Sequence, residues 1–303
     1  IDLMLIYNPK DWFTFILKVH KSDTLRKLGP MILVIRIYSV AIAHWEQEYL
    51  DITDHPWIKN IPIMHSLLGF AISILLVFRT NTAYDRWWEG RKLWGQLVNV
   101  SRNLAIKIAS DSNLDEETKE FYRKMIPLYA ATLRTYLISK GLQFVLDEKE
   151  HPEFANFANS DHEPNHVALL MHDKLFKMRK NNKIDDWHFQ SLLKDLGQFT
   201  DVCGGCERIK NTPIPYSYSA FIKKFIFIYI MTLPFGYVFL LGYYVAPIVA
   251  MVFYVLASME LIAEEIEDPF GDDSNDLPIT KISQNIEKHI NQIFQTKNNE
   301  WTI

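Results

Sequence analysis

The sequence predicts an all-α protein that crosses a membrane. Residues 61–78 carry no formal charge, residues 225–259 carry none either, and no stretch shows the Val/Ile/Thr alternation of a sheet. The eighteen residues from Ile61 to Phe78, as a helix, span about 27 Å, close to the hydrocarbon thickness of a bilayer. Charge returns abruptly at Arg79, Asp85, Arg86, Glu89, Arg91 and Lys92, with Trp87 and Trp88 among them. That mixture of cations and indoles is what a membrane–water boundary favours. Averages conceal the pattern, because 49% hydrophobic and 22% charged residues would also suit a soluble enzyme.

Four spans follow in order, at roughly 29–46, 60–78, 224–241 and 244–262. The first, Pro30 to Trp45, is short and interrupted by Arg36. Residues 225–259 are too long for one crossing and are expected to form two. Gly242-Tyr243-Tyr244 is the expected reversal, with Pro234 and Pro247 bending the helices on either side. Small residues at Ser66, Gly69 and Ser73 mark one stripe of the second span as suited to close helix approach.

Cations set the topology. The segment Glu46 to Asn60 holds Glu46, Glu48, Asp51 and Asp54 against Lys59. The flanks facing the other way carry Lys18, Lys21, Arg26 and Lys27, then Arg79, Arg86, Arg91 and Lys92, then Arg208, Lys210, Lys223 and Lys224. The positive-inside rule therefore puts both termini and residues 79–223 in the cytoplasm. No cleavable signal peptide is expected.

The cytoplasmic part, 79–223 with 263–303, reads as helical and continuous with the spans in a single domain, residues 1–303. A helix begins near Asp111-Ser112-Asn113 and Glu116-Glu117 and runs to Gly141 on three- and four-residue apolar spacing. Residues 144–166, broken by Pro152 and Pro164, form a loop; helical patterning resumes over 168–178 and 185–209. No internal repeat is present.

Catalytic motifs are few. Cys203-Gly204-Gly205-Cys206 is a CxxC pair, but no strand precedes it as in a thioredoxin-like unit, so a structural role is favoured. His162 and His166 are four apart, with Pro164 between them and no partner acid at HExxH spacing. Phosphate loops and nucleophile elbows are absent, and no enzyme activity is expected. The end of the fourth span is richer: Glu260, Glu264, Glu265, Glu267, Asp268, Asp272, Asp273 and Asp276 fall within seventeen residues. A solvated helix exit and a hard-cation site remain equal readings of it. An EF-hand is excluded, because no Gly stands at the sixth loop position from Asp272 and Ser283 replaces the bidentate Glu.

FRTNTAYDRWWEGRKLWG after a charge-free second span, GGCERIKNTPIPYSYS before the third, and EEIEDPFGDDSNDLP after the fourth resemble the bestrophin channels, in particular their bacterial branch. The resemblance covers nearly the whole chain. It implies a homopentamer in the bacterial inner membrane, with second spans ringing one axial pore above a cytoplasmic vestibule. It also gives Phe70, Ile74 and Phe78, an apolar stripe at i, i+4, i+8, the role of pore neck; without it such a stripe is more often lipid-facing or core. The family's second constriction falls near Trp187, counted back from Pro213–Pro215. Its calcium clasp transfers to Asp272, Asp273 and Asp276, but Ser274 and Asn275 stand where animal members carry further acids. Two fewer carboxylates weaken a calcium site, so no cofactor is required. The permeant species implied is a small monovalent ion, chloride or another anion first and a sodium or potassium ion as the alternative. The lipid bilayer is the other partner, and no nucleic acid is expected. A four-span membrane enzyme, built on Arg36, His44, His65 or Glu260, and a scaffold subunit are the readings from other classes.

Overall fold

The computed structural model describes residues 23–49, 60–138, 162–271 and 275–296, and among them every regular element is helical. Three segments are long and apolar enough to cross a membrane: Thr24–Tyr49, Ile61–Ser110 and Tyr216–Glu267. The last is broken at Gly242, whose φ of 54° lies in the left-handed region that glycine enters at no steric cost. Its two halves are separate helices, as the charge-free length required. In chain order the helices are α1 (Asp23–Tyr49), α2 (Ile61–Ser110), α3 (Glu116–Ile138), α4 (Glu163–Lys180), α5 (Asp186–Asn211), α6 (Tyr216–Leu241), α7 (Val245–Glu267) and α8 (Ile279–Thr296). A 3-10 turn, Gly242–Tyr244, joins α6 to α7. Pro247 lies in the first turn of α7, where no helical hydrogen bond is lost, whereas Pro234 is inside α6.

The single domain expected from sequence divides into two compact units. One takes the described residues of Ile6–Arg86 and Pro213–Glu267; the other takes Trp87–Thr212 and the described part of Asp268–Ile303. In the first unit α1, α6 and α7 pack on one another, and Ile35, Ala43, Ile72, Leu76, Ile226, Ile230, Val249 and Phe253 form the core. Gly236 admits α2 closely: a Cβ there would stand 2.6 Å from Ile61 and 3.1 Å from His65.

In the second unit α3 packs on α4 and α8, and α4 on α5. Its core includes Trp94, Leu97, Leu104, Ile108, Tyr122, Tyr129 and Phe199. Buried tyrosine hydroxyls find backbone acceptors, Tyr122 donating to the Met171 carbonyl and Tyr129 to that of Phe199. Helix starts are capped by side chains. Asp115 accepts from the Thr118 N–H at 3.0 Å, Asp185 from His188 at 2.7 Å, and His162 Nδ1 from Asn165 at 3.3 Å. This corrects the loop expected over 144–166 at its end: α4 begins at Glu163 with Pro164 in its first turn, where a missing N–H costs nothing. Residues 144–161 of that expected loop lie outside the described residues.

Candidate pore helix and acidic turn

Within the first unit, α2 is packed along one side and open along another. His65, Ile72, Leu76, Arg79 and Ala83 are buried. Phe70, Ile74 and Phe78 are 67%, 40% and 60% exposed, so the apolar stripe is left for surroundings outside this chain. The small-residue stripe is divided between two uses. Gly69 meets α6 of the same chain, since a Cβ there would lie 2.8 Å from the Tyr229 hydroxyl oxygen. Ser66 and Ser73 are exposed and return their hydroxyls to the Pro62 and Gly69 carbonyls, each at 2.8 Å. A serine bonded this way exposes no unsatisfied donor to an apolar neighbour.

The charges at the end of this unit are paired. Arg79, buried to 1% exposure, donates from Nη2 to Glu267 Oε2 at 2.7 Å, and its Nε faces Glu260 Oε1 at 3.5 Å. Glu267 is a hub, because its Oε1 also accepts the Ile214 N–H and its carbonyl accepts from Arg86 Nε. Lys27 pairs with Glu265 at 2.9 Å and Lys223 with Glu264 at 2.9 Å. The four glutamates of α7 thus face three cations of α1, α2 and α6, with Arg79 shared between Glu260 and Glu267. Glu260 therefore faces Arg79, and Arg36 is exposed on α1. The role of Arg79 was missed. Its signal was the first cation after eighteen uncharged residues.

The titratable groups of the spans have separate local partners. His44 Nδ1 lies 3.2 Å from the Tyr243 hydroxyl, and His65 Nε2 lies 3.1 Å from Thr232 Oγ1. No hydrogen bond or ion pair joins any two of Arg36, His44, His65 and Glu260.

In the second unit, residues 268–271 and 275–277 are held to one another and to α2. The Leu277 N–H donates to the Pro269 carbonyl at 2.9 Å, and Trp87 Nε1 donates to the Asn275 carbonyl at 3.0 Å. Phe270 and Leu277 close over Gly90, where a Cβ would meet them at 3.1 and 3.2 Å. Asp276 is buried, and a Cβ on Gly271 would touch its Oδ2 at 2.7 Å. Of the three candidate clasp residues it alone can be placed, and it is folded into the turn; Asp272 and Asp273 lie outside the described residues. Trp187, in the first turn of α5, is 86% exposed, an unusual state for so large an apolar ring.

Cys203 and Cys206 are buried free thiols in the core of this unit. Burial pushes the Cys203 thiol up to about 12, so with no metal bound it stays protonated near pH 7. Gly205 lets α5 approach α2, a Cβ there lying 2.7 Å from Leu93. Both thiols and Gly205 thus take part in packing α5 within this unit.

A family model described as "Bacterial/Fungal Bestrophin protein" matches residues 4–292. The voltage-dependent anion channel-forming protein YneE of Escherichia coli is 33% identical over 285 residues, covering 94% of this chain and 92% of its own. A voltage-dependent anion channel-forming protein of Synechocystis is 29% identical, covering 95% and 93%. A crystal structure of a bacterial bestrophin homolog from Klebsiella pneumoniae superposes with a TM-score of 0.79 at 26% identity, over 88% of this chain and 98% of that one.

Proposed function

The chain belongs to the bacterial and fungal bestrophin family, and on that premise we propose that it forms a homopentameric channel for small monovalent anions in the bacterial inner membrane. Four spans, α1, the first part of α2, α6 and α7, cross the bilayer, with both termini on the cytoplasmic side where the flanking cations cluster. Relatives at about 30% identity over nearly the full length are named as anion channels, which supports the same class of permeant ion here. These relatives carry the name of a channel-forming protein, and no enzyme activity is part of the reading.

The observation that carries the reading is the division of α2. One side packs on its own chain through His65, Ile72, Leu76 and Arg79, and Phe70, Ile74 and Phe78 stay open on another. A homopentamer puts five such stripes around one axis. Three apolar rings over two turns, about 12 Å, impose a desolvation barrier without a plug. Exposed Trp187 supplies the second constriction. On this reading calcium is not required for opening: Glu264, Glu265 and Glu267 already hold cations of the same chain, and Asp276 is folded into its turn.

Purified protein in liposomes tests this, with chloride and alkali-cation gradients imposed separately and calcium chelated. A reversal potential that follows chloride is the expected result. One that follows sodium or potassium replaces the anion reading with a cation channel of the same fold. No flux in either gradient overturns the channel.

A further inference from the structure

The second unit gathers three metal-ligating side chains that sequence spacing keeps far apart. His162 stands at the N-cap of α4, and Cys203 and Glu207 lie four residues apart on one face of α5. One ligand atom from each lies within 4.8 Å of the others. His162 Nε2 is 2.8 Å from Glu207 Oε1, and the Tyr136 hydroxyl from α3 donates to the same oxygen at 2.8 Å. The Tyr136 and His162 rings lie 4.6 Å apart, centroid to centroid. Cys203 is buried at the base, while His162 and Glu207 are about a quarter exposed, 26% and 28%, and open the group to solvent.

We propose that His162, Cys203 and Glu207 bind one zinc-class divalent cation in the second unit, with solvent in the fourth position and Tyr136 orienting the carboxylate from outside. The donor set decides the class. One thiolate, one imidazole and one carboxylate suit tetrahedral zinc, whereas calcium and magnesium require oxygen ligands. Charge agrees, because a thiolate and a carboxylate together neutralise a divalent ion. A Tyr hydroxyl on the ligating carboxylate is the outer partner such sites carry. Cys206 is fully buried and outside the set.

Binding is a ligand exchange with no redox change. The ion displaces the Cys203 thiol proton to solvent and forms a sulfur–metal bond. In the metal-free ring, Nδ1 accepts from the Asn165 N–H and Nε2 carries the proton facing Glu207. The ion takes the place of that proton, the ring carries its own on Nδ1, and the cap bond at 3.3 Å is given up. Loading therefore ties α4 to α5 by metal in place of one helix cap, and its strength rises with pH because protons are released.

Cobalt(II) titration of the chelator-stripped, purified full chain tests the site, read by thiolate-to-cobalt charge-transfer absorption. The expected result is one equivalent of tetrahedral cobalt, displaced by zinc. Cys203→Ser should lose the absorption, and His162→Ala should weaken binding at least about tenfold, with Tyr136→Phe weaker by about tenfold as an outer partner. Cys206→Ser, equally buried, controls for folding and should bind within about twofold of the parent. Absence of the absorption in the parent, or its persistence in Cys203→Ser, overturns the site. So does its loss in Cys206→Ser with the parent's elution volume unchanged.

Discussion

Arg79 is held by Glu267 at 2.7 Å and faces Glu260 at 3.5 Å, with its own side chain removed from solvent. Removing that guanidinium leaves the largely buried Glu260 and Glu267 carboxylates without their cation, so Arg79→Ala should destabilise the first unit by about 3–5 kcal/mol, read as a drop in thermal midpoint in detergent. Lys223→Ala should cost no more than about 1 kcal/mol, since Lys223 and Glu264 are both about half exposed and screened. Equal effects would show that burial does not set the hierarchy. Asp115 offers a pH test in the second unit. The Lys183 ammonium, and then the Thr118 hydroxyl and N–H, hold its carboxyl well below the usual carboxylate range. A depressed folded value means its contribution is full above the unfolded value of about 3.9 and is lost as pH falls towards the folded one. The midpoint of wild type should fall more than that of Asp115→Asn below about pH 4, because Asn keeps the cap acceptor and drops the charge. The difference will be small for a half-exposed pair. None of these pairings was legible in sequence, because they join distant residues: Arg79 and Glu267 are 188 apart, and His162 and Glu207 are 45 apart.

At the scale of the element, α2 is the helix whose substitutions should reach conduction. Ile74→Ala and Phe78→Ala each remove apolar bulk from an exposed stripe without removing charge. Each should widen and wet the neck and raise single-channel conductance several-fold, while the reversal potential shifts much less. Currents unchanged in both singles and the double would put the stripe against lipid. The long apolar helices were legible, because a charge-free window marks them; a break within residues 225–259 followed from length, and its place from Gly242. The full extents of the helices were not. α2 continues past its charge-free window to Ser110 because Trp94, Leu97, Leu104 and Ile108 pack its later turns into a second core. The start of α4 was misjudged for a local reason, since Pro164 serves a first turn as readily as it breaks a middle one. The small-residue stripe was half right: Gly69 serves contact within the chain, and only Ser66 and Ser73 remain open.

For the whole molecule, a single chain leaves the Phe70 stripe open and encloses nothing with it. Purified protein in mild detergent should have a mass of about five times 35.6 kDa after correction for bound detergent, measured by light scattering. A monodisperse monomer or dimer would leave the axial pore without walls. The paired end of α7 has a further consequence, which belongs to synthesis. Lys27, Arg79 and Lys223 leave the ribosome before Glu260, Glu264, Glu265 and Glu267 exist, so the nascent chain carries its cations uncompensated until the last span emerges. A chain truncated before Glu260 should therefore keep Arg79 without either of its carboxylate partners, and should be recovered folded from membranes in lower yield than the full chain.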